Sequence, residues 1–424
     1  MNLEQQRDQT FTQLSELVAT SPTSYHAATN VARTLIEAGF TELHEHEDWG
    51  ELDAGGYVLV RDGAVIAWRI PPVCTPTTPF AVVAVHTDSP GFRLKPVPHT
   101  ERAGWCSVNA EVYGGPLLNS WLDRDLRLGA RLALSDGSMK LAATDAVARI
   151  PQLAIHLDRQ VNVEGLKLDR QQHTHAVVGL AGGPGPIDLL ASAAGVERDE
   201  VVAWDAFFAD AQPGARLGSQ SELLAAGRLD NLVSVHAGMR AIVSAAPEGV
   251  IPVLAAFDHE EVGSDTRTGA GGPLLGDVLD RIGASGTTTD RQRARAASWV
   301  VSSDVGHAVH PNYGDRHDDD VRPIAGQGTI IKINADQRYV TDAAGEALWR
   351  RLSAQVDVPV QTFVSKNSMP CGSTVGPITA TRYGMRTVDV GIPILSMHSA
   401  RELAAIDDVT ALQAVLSAFM SSAQ

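Results

Sequence analysis

Residues 80–90 read FAVVAVHTDSP, an apolar run that gives way to polar residues within a few positions. The apolar part shows no alternation between apolar and polar residues, which is typical of a strand buried on both faces. Strands of that kind belong to parallel sheets that helices cover on both sides. In open α/β sheets, ligands bind beyond the carboxyl ends of the strands. His86 and Asp88, which follow the apolar run, are therefore candidates for a functional site.

Apolar strand patterns alternate with helical patterns in two separated parts of the chain. Near the N-terminus, helical patterns precede the segments YVLVR, AVIAWRI and FAVVAV. From about residue 220 onward, helical patterns alternate with IPVLAAF, SWVVSS and TVDVG. This order predicts an α/β fold with a central, mostly parallel sheet flanked by helices. We therefore assign residues 1–95 and 220–424 to one α/β domain.

The intervening residues 96–219 have a different pattern. They contain short alternating segments, such as SVNAEVYGG and LRLGARLAL, separated by Gly/Pro-rich breaks such as GGPGP. This pattern predicts a mainly β domain inserted into the α/β domain. The Gly-rich segments GGPGP and GAGGP lack a following Gly-Lys-Ser/Thr, which argues against a phosphate-binding loop.

Composition excludes several classes of partner. The 424 residues carry a net charge of -16 and show no basic stripe, so we expect no nucleic-acid partner. No stretch approaches the roughly 20 apolar residues of a membrane span, so we expect no membrane partner. The three cysteines, an odd number far apart in the sequence, indicate no disulfide framework and a reducing cytoplasm.

Five segments carry residue types that commonly bind metal ions, and four of these segments directly follow a predicted strand. The residues are His86, Asp88, Asp230, Glu260, Glu261, Asp304 and His398. Because the carboxyl ends of such strands meet at one edge of a sheet, we expect these side chains to converge.

Two imidazoles and three carboxylates are a ligand set that suits zinc. We predict that His86 and Asp304 bind one ion, that His398 and Glu261 bind a second, and that Asp230 bridges the two. A pair of metals ~3.5–4 Å apart can hold a bridging water and lower its pKa toward neutrality. Ligand sets of this kind also accept Mn²⁺ or Co²⁺, so the sequence does not fix the metal.

The carboxylates next to these ligands have separate predicted roles. Adjacent residues cannot easily face one ion, so Glu260 is free to take a proton from the water as the general base. Asp88 is placed to accept the second ring N–H of His86 and so fix its tautomer. Asp258 and His259, which precede the glutamate pair, are interpreted as structural residues.

Each residue alone also has an ordinary explanation. A histidine after a strand is commonly a core or surface residue, a Glu-Glu pair is commonly solvated, and Asp230 could be a helix N-cap. Burying several carboxylates without cations, however, costs several kcal/mol each. The joint pattern therefore favours a metal site.

Seven ordered motifs resemble the M18 family of metallopeptidases, the aspartyl aminopeptidases. They are HTDSP, GRLDNL, DHEEVGS, SDVGHAVHPNY, IKINADQRY, PCGSTVGP and SMHSARE, and the match runs from about Ser21 almost to the C-terminus. The resemblance implies a catalytic α/β domain, an inserted β-rich domain used for dimerisation, and a homo-oligomer, typically a dodecamer built from dimers. It assigns the metal-binding and general-base roles to the same residues as above.

The resemblance also implies three substrate-binding residues. His156 matches a histidine that reaches from one subunit into the active site of its neighbour, although a plain strand histidine is the alternative. Lys332 and Tyr339 match positions that line the substrate pocket. A buried acidic side chain needs a cation, which supports Lys332, although a solvent-facing strand lysine is the alternative. The segment Gly372–Thr374 is either a backbone-donor loop near the reacting carbonyl or a tight turn.

The ligand pattern predicts a dinuclear zinc site, and the resemblance implies an aminopeptidase that removes N-terminal Asp or Glu from peptides. The metal-bridging water would attack the first peptide bond while Glu260 moves the proton to the leaving amine. One alternative is an aminopeptidase of broad or neutral preference. Another is a non-catalytic assembly or cargo protein on the same scaffold, which predicts missing ligands or a missing base.

Overall fold

The computed structural model describes residues 3–424 of the chain. Within them the chain forms ten α-helices and twenty strands. The helices are α1 (Leu3–Thr20), α2 (Ser24–Glu37), α3 (Val161–Glu164), α4 (Pro186–Ala194), α5 (Leu229–Ser244), α6 (Leu274–Ile282), α7 (Thr288–Ala296), α8 (Ala343–Gln355), α9 (Val375–Tyr383) and α10 (Ile406–Ser421). The strands are β1 (Thr41–Glu42), β2 (Gly55–Arg61), β3 (Ala64–Ile70), β4 (Phe80–His86), β5 (Gly91–Arg102), β6 (Trp105–Tyr113), β7 (Leu126–Leu134), β8 (Met139–Ala148), β9 (Ala176–Leu180), β10 (Val201–Asp210), β11 (Ala215–Leu217), β12 (Leu223–Ala226), β13 (Ile251–Phe257), β14 (Trp299–Ser303), β15 (Gly306–His307), β16 (Thr329–Lys332), β17 (Val360–Phe363), β18 (Arg386–Gly391), β19 (Pro393–Leu395) and β20 (Glu402–Ala405).

The largest sheet has nine strands in the order β1-β2-β3-β13-β4-β14-β18-β16-β17. Its centre, β13-β4-β14-β18, is parallel throughout. Antiparallel pairs join β2 to β3, β3 to β13, and β16 to β18. The prediction of an α/β fold with a mostly parallel central sheet is therefore confirmed.

Strand β4 explains why the central sheet needs helices on both faces. All of its residues are buried, and alternate side chains point to opposite faces. Ala81, Val83 and Val85 belong to a hydrophobic cluster that includes α1, α2, α5, α8 and α10. Phe80, Val82 and Ala84 belong to a second cluster that includes α6, α7 and α9. The continuous apolar run in the sequence follows from this burial on two sides.

A second sheet has six antiparallel strands in the order β8-β7-β10-β5-β6-β9. It has its own hydrophobic cluster, to which α4 contributes. Its first strand begins at Gly91 and its last ends at Asp210. The assignment of residues 96–219 to a separate folding unit stays a prediction.

A third sheet has five short strands in the order β11-β12-β20-β19-β15. The sequence pattern does not reveal this sheet, because strands of two to four residues show no clear periodicity. Within the described part of the chain, none of the helices is long and apolar enough to span a lipid bilayer.

Candidate metal centre

The residues expected to bind metal lie together in one cluster. His86, Asp230 and Asp304 offer ligand atoms that all lie within 4.8 Å of one another. Asp230, Glu261 and His398 form a second group that meets the same limit. Because Asp230 belongs to both groups, the cluster consists of two adjoining sites that share one carboxylate.

The two carboxylate oxygens of Asp230 face different imidazoles. Its Oδ1 is 3.3 Å from His86 Nε2, and its Oδ2 is 3.2 Å from His398 Nε2. Asp304 Oδ1 is 3.6 Å from His86 Nε2, and Glu261 Oε2 is 3.5 Å from His398 Nε2. Each imidazole therefore faces one oxygen of Asp230 and one further carboxylate.

The ligand-bearing segments come from two sheets rather than from the single sheet edge that the sequence predicted. His86 ends β4, Asp304 directly follows β14, and the Glu260–Glu261 pair follows β13 in the nine-stranded sheet. Asp230 follows β12 and His398 follows β19, both of which lie in the five-stranded sheet. The expectation of one edge was wrong because the third sheet is invisible in the sequence pattern.

Backbone carbonyls fix the tautomers of both imidazoles. His86 Nδ1 lies 3.1 Å from the carbonyl oxygen of Asp88, and His398 Nδ1 lies 3.0 Å from that of Gly115. Since a carbonyl can only accept, both Nδ1 atoms donate a proton. The Nε2 atoms, which face the carboxylates, are then free to bind metal.

The carboxylate of Asp88 contacts more groups than the His86 ring N–H that the sequence predicted as its partner. Its carboxylate Oδ1 lies 3.4 Å from His86 Nδ1, and the closer contact to that ring is the backbone carbonyl. The carboxylate also accepts the backbone N–H groups of Glu260 and Glu261, each at 3.1 Å. Tyr113 donates to it from β6 at 2.8 Å. Asp88 therefore positions the glutamate pair as well as His86.

The unpaired carboxylate oxygens fit a site for divalent cations. Among the described residues, buried oxygens of Asp230, Glu261 and Asp304 lack any hydrogen-bond partner. Burial, with Asp230 adding to it, raises the pKa of Glu261 well above its usual value. Burial also raises the pKa of Glu260 to about 7. Metal ions would supply the partners that these buried charges need.

Glu260 lies at the edge of the cluster. Its Oε2 is 4.0 Å from His86 Nε2, and 16% of its side chain is exposed. It also forms a third group with His86 and Glu261 that could hold a metal ion. The geometry therefore permits Glu260 to act on a proton at the mouth of the site or to serve as a ligand.

Lys332 and Tyr339 lie beside the cluster but are buried. Lys332, 2% exposed, donates to the carbonyl of Val305 at 2.8 Å and lies 3.4 Å from Asp304 Oδ2. Its ammonium also lies 5.3 Å from the centre of the Tyr339 ring. The alternative that Lys332 is a solvent-facing strand lysine is therefore wrong.

His156 is not brought to the cluster within its own chain. It is exposed in a turn between β8 and α3, so the alternative of a strand histidine is wrong. Among the contacts of the described residues, none joins His156 to the metal-ligand candidates.

The segment Gly372–Thr374 leads into helix α9. Thr374 accepts from the N–H of Gly376 as the N-cap and donates to Asp389 at 2.6 Å. Gly372 and Ser373 are exposed. Asp389, which also accepts the N–H of Val340 at 2.7 Å, is an anchor that sequence reasoning missed.

A cavity of about 250 Å³ contains further groups that sequence reasoning missed. Its cationic and titratable lining residues are His307, His310, Arg316, His317 and Lys366. Burial is the main cause that lowers the pKa of His307, whose charge also interacts with Asp230 and His398. His307 and His310 lie in the motif SDVGHAVHPNY, so two histidines beside Asp304 were an available signal.

Together the fold and the cluster define a metal-dependent hydrolase of the α/β type. The model of a family described as "Aminopeptidase I zinc metalloprotease (M18)" matches residues 17–420. The chain belongs to this family and is an M18 zinc aminopeptidase.

Relatives match over nearly the whole chain. The "Probable M18 family aminopeptidase 2" of Streptomyces avermitilis is 52% identical over 417 residues, which cover 96% of each chain. The protein of the same description from Mycobacterium leprae is 41% identical and covers 96% of this chain and 98% of its own. A solved structure described as a dodecamer of mApe1 from S. cerevesiae has a TM-score of 0.85 and 27% identity, covering 96% of this chain and 95% of that one.

Proposed function

We propose that this aminopeptidase holds two zinc ions per chain and removes acidic residues, Asp or Glu, from the N-terminus of peptides. The observation that carries the dinuclear part is the position of Asp230, whose two oxygens face different imidazoles at 3.3 and 3.2 Å. A single-metal site has no need for a carboxylate shared in this way.

The metal ligands in this proposal are the five clustered residues. His86 and Asp304 would hold one ion, His398 and Glu261 the other, and Asp230 both. When bound, two such ions polarise the scissile carbonyl and lower the pKa of the attacking water. Mn²⁺ or Co²⁺ would suit the same ligands.

Glu260 is the proposed general base. Its carboxylate would accept a proton from the attacking water and pass it to the amine that leaves. Its position suits this role, because its Oε2 lies 4.0 Å from His86 Nε2 and 16% of its side chain is exposed. Asp88 would keep Glu260 in place by accepting a hydrogen bond from the backbone N–H of Glu260, at 3.1 Å.

Cationic side chains in the cavity that His307 also lines support a preference for acidic residues. Arg316 and Lys366 line the cavity that also contains His307, while the chain as a whole carries a net charge of -16. An anionic side chain leaving water needs such a local cation. Lys332 and Tyr339 would form the inner wall behind Asp304.

Assembly completes the proposal. The turn that holds His156 exposes Leu153 and Leu157, which are 63% and 74% accessible and would be covered in a dimer. The unit at residues 96–219 would form that dimer and deliver His156 to the neighbouring site. Six dimers would then give a dodecamer, which is also the assembly described for mApe1 of S. cerevesiae.

A panel of Asp-, Glu- and Leu-nitroanilides tests the preference. The assay is run on the metal-loaded enzyme, after chelation, and after addition of Zn²⁺, Mn²⁺ or Co²⁺. We expect the two acidic substrates to turn over fastest and chelation to abolish all turnover. Faster cleavage of the Leu substrate would contradict the acidic preference. Full activity after verified metal removal would contradict the metal mechanism.

A further inference from the structure

Glu402 lies beneath the metal cluster, although the proposed function gives it no role. It is the first residue of β20 and is 2% exposed. Its Oε1 accepts the backbone N–H of His398 at 2.8 Å, and its Oε2 accepts that of Asp230 at 3.0 Å. One carboxylate therefore joins the backbones of two proposed metal ligands.

These two ligands depend on a common support because they come from different loops. Asp230 follows β12 and His398 follows β19, and β20 lies between these strands in the five-stranded sheet. Glu402 pairs directly with Ala226 at the end of β12. Its backbone is thus fixed to the strand that leads into Asp230, and from there its side chain reaches the loop of His398.

The backbone at His398 needs such a support for a second reason. Its φ of 64° lies in the left-handed region, which residues other than glycine rarely adopt. Its carbonyl accepts the N–H of Leu117 at 2.8 Å, and its ring donates to Gly115. The third contact is the hydrogen bond from its N–H to Glu402. His398 is therefore held by the segment after β6 on one side and by Glu402 on the other.

We infer that Glu402 is a positioning residue that sets the spacing of Asp230 and His398 and thereby the zinc affinity of the site they share. This inference rests on the proposed dinuclear function. The relevant spacing is the 3.2 Å between His398 Nε2 and Asp230 Oδ2, which leaves little tolerance for movement of either loop. Residues that orient metal ligands affect metal affinity even though they do not touch the metal.

The variant Glu402→Gln tests the inference with almost no change in volume. An amide offers only one acceptor oxygen, so its NH₂ group must face one of the two backbone N–H groups. That N–H loses its partner, and the loop that carries it is released. We expect zinc affinity to fall about 10–100-fold, as measured by competition with a chromogenic chelator on the purified full-length protein.

Asp408 provides a matched control. Its two oxygens each accept one backbone N–H, from Gly326 and Gly328, both at 2.7 Å. It is fully buried in α10, and no described contact joins it to the cluster. Asp408→Asn removes the same kind of double acceptor, so we expect it to lower the thermal stability and leave the zinc affinity unchanged.

The outcomes separate positioning from a merely structural role. If Glu402→Gln lowers the melting temperature as Asp408→Asn does but keeps the zinc affinity of the wild type, the inference is wrong. If Glu402→Gln does not fold, Glu402→Asp is measured instead. It keeps two oxygens but withdraws them by one methylene, so weaker zinc binding is again expected and unchanged binding overturns the inference. A wild-type protein that binds no zinc would contradict the proposed function itself.

Discussion

At the scale of single residues, Asp230 and Glu260 differ in their surroundings. Asp230 is buried, and its oxygens face two imidazoles. Glu260 lies at the edge of the cluster, and 16% of its side chain is exposed. A buried, shared carboxylate suits a bridging ligand, whereas a partly exposed carboxylate at the edge of the cluster suits proton transfer.

Replacing Glu260 by Gln tests this division of roles. The change removes the proposed proton acceptor, so we expect kcat to fall about 10²–10⁴-fold while bound zinc is unchanged. Zinc content is measured by atomic absorption on the same preparation that is assayed. Glu261→Gln is the control and should lose zinc together with activity. Near-normal turnover of Glu260→Gln would show that another group is the base.

His236 makes a prediction about stability at acidic pH. It is fully buried in α5, and burial lowers its pKa to about 3, with Arg240 contributing. The unfolded chain binds the proton near pH 6.5, so the titration of His236 does not change the free energy of unfolding above that pH. Below pH 6.5 it lowers the free energy of unfolding progressively toward pH 3. The slope reaches about 1.4 kcal/mol per pH unit.

Between pH 6.5 and 4, the variant His236→Leu should therefore lose stability less steeply than the wild type. The free energy of unfolding is measured by chemical denaturation at each pH. The control is His46→Gln, because His46 is exposed and should leave the slope unchanged. An identical pH dependence in His236→Leu and the wild type would mean that His236 does not stay neutral in the fold.

At the scale of elements, the end of β18 lies so close to the residue after β14 that only a glycine fits at position 391 without displacing its neighbour. A methyl group at Gly391 would overlap the carbonyl oxygen of Asp304, the residue directly after β14. Gly391→Ala must therefore displace the segment that carries a proposed ligand. We expect a destabilisation of about 1–3 kcal/mol, together with weaker zinc binding.

Gly55→Ala is the matched control, since Gly55 lies in β2 of the same sheet and its added methyl group would meet no atom within 4 Å. Thermal unfolding with and without chelator measures both effects. Equal melting temperatures for the two variants would contradict the close packing of β14 and β18.

The elements also show which parts of the site the sequence could predict. His86 and Asp304 follow apolar runs that are buried on both faces, and such runs are visible in the sequence. The five-stranded sheet could not be predicted, because its strands are too short to show a period. Glu402 could not be predicted either, since it binds backbone N–H groups, which leave no trace in the pattern of residue types.

At the scale of the whole molecule, His156 gives the sharpest test of assembly. It is exposed and lies away from the cluster of its own chain, so the proposed role requires a neighbouring subunit. We expect His156→Ala and Glu260→Gln each to be nearly inactive when expressed alone. When they are co-expressed, some sites combine Glu260 of one chain with His156 of another, and activity should return in part.

Mass photometry of each variant expressed alone and of the co-expressed pair checks that they assemble like the wild type. Mixing the two purified variants without subunit exchange is the control and should remain inactive. If co-expression restores no activity although mixed oligomers form, His156 does not act across a subunit boundary.

The proposed pair of metal ions bridged by Asp230 is most directly tested by anomalous scattering from crystals of the zinc-loaded protein, measured above and below the zinc edge. We predict two peaks ~3.5–4 Å apart, with one oxygen of Asp230 bound to each. His86 and Asp304 should complete one coordination sphere, and His398 and Glu261 the other. A single peak, or two peaks that Asp230 does not bridge, would contradict the account.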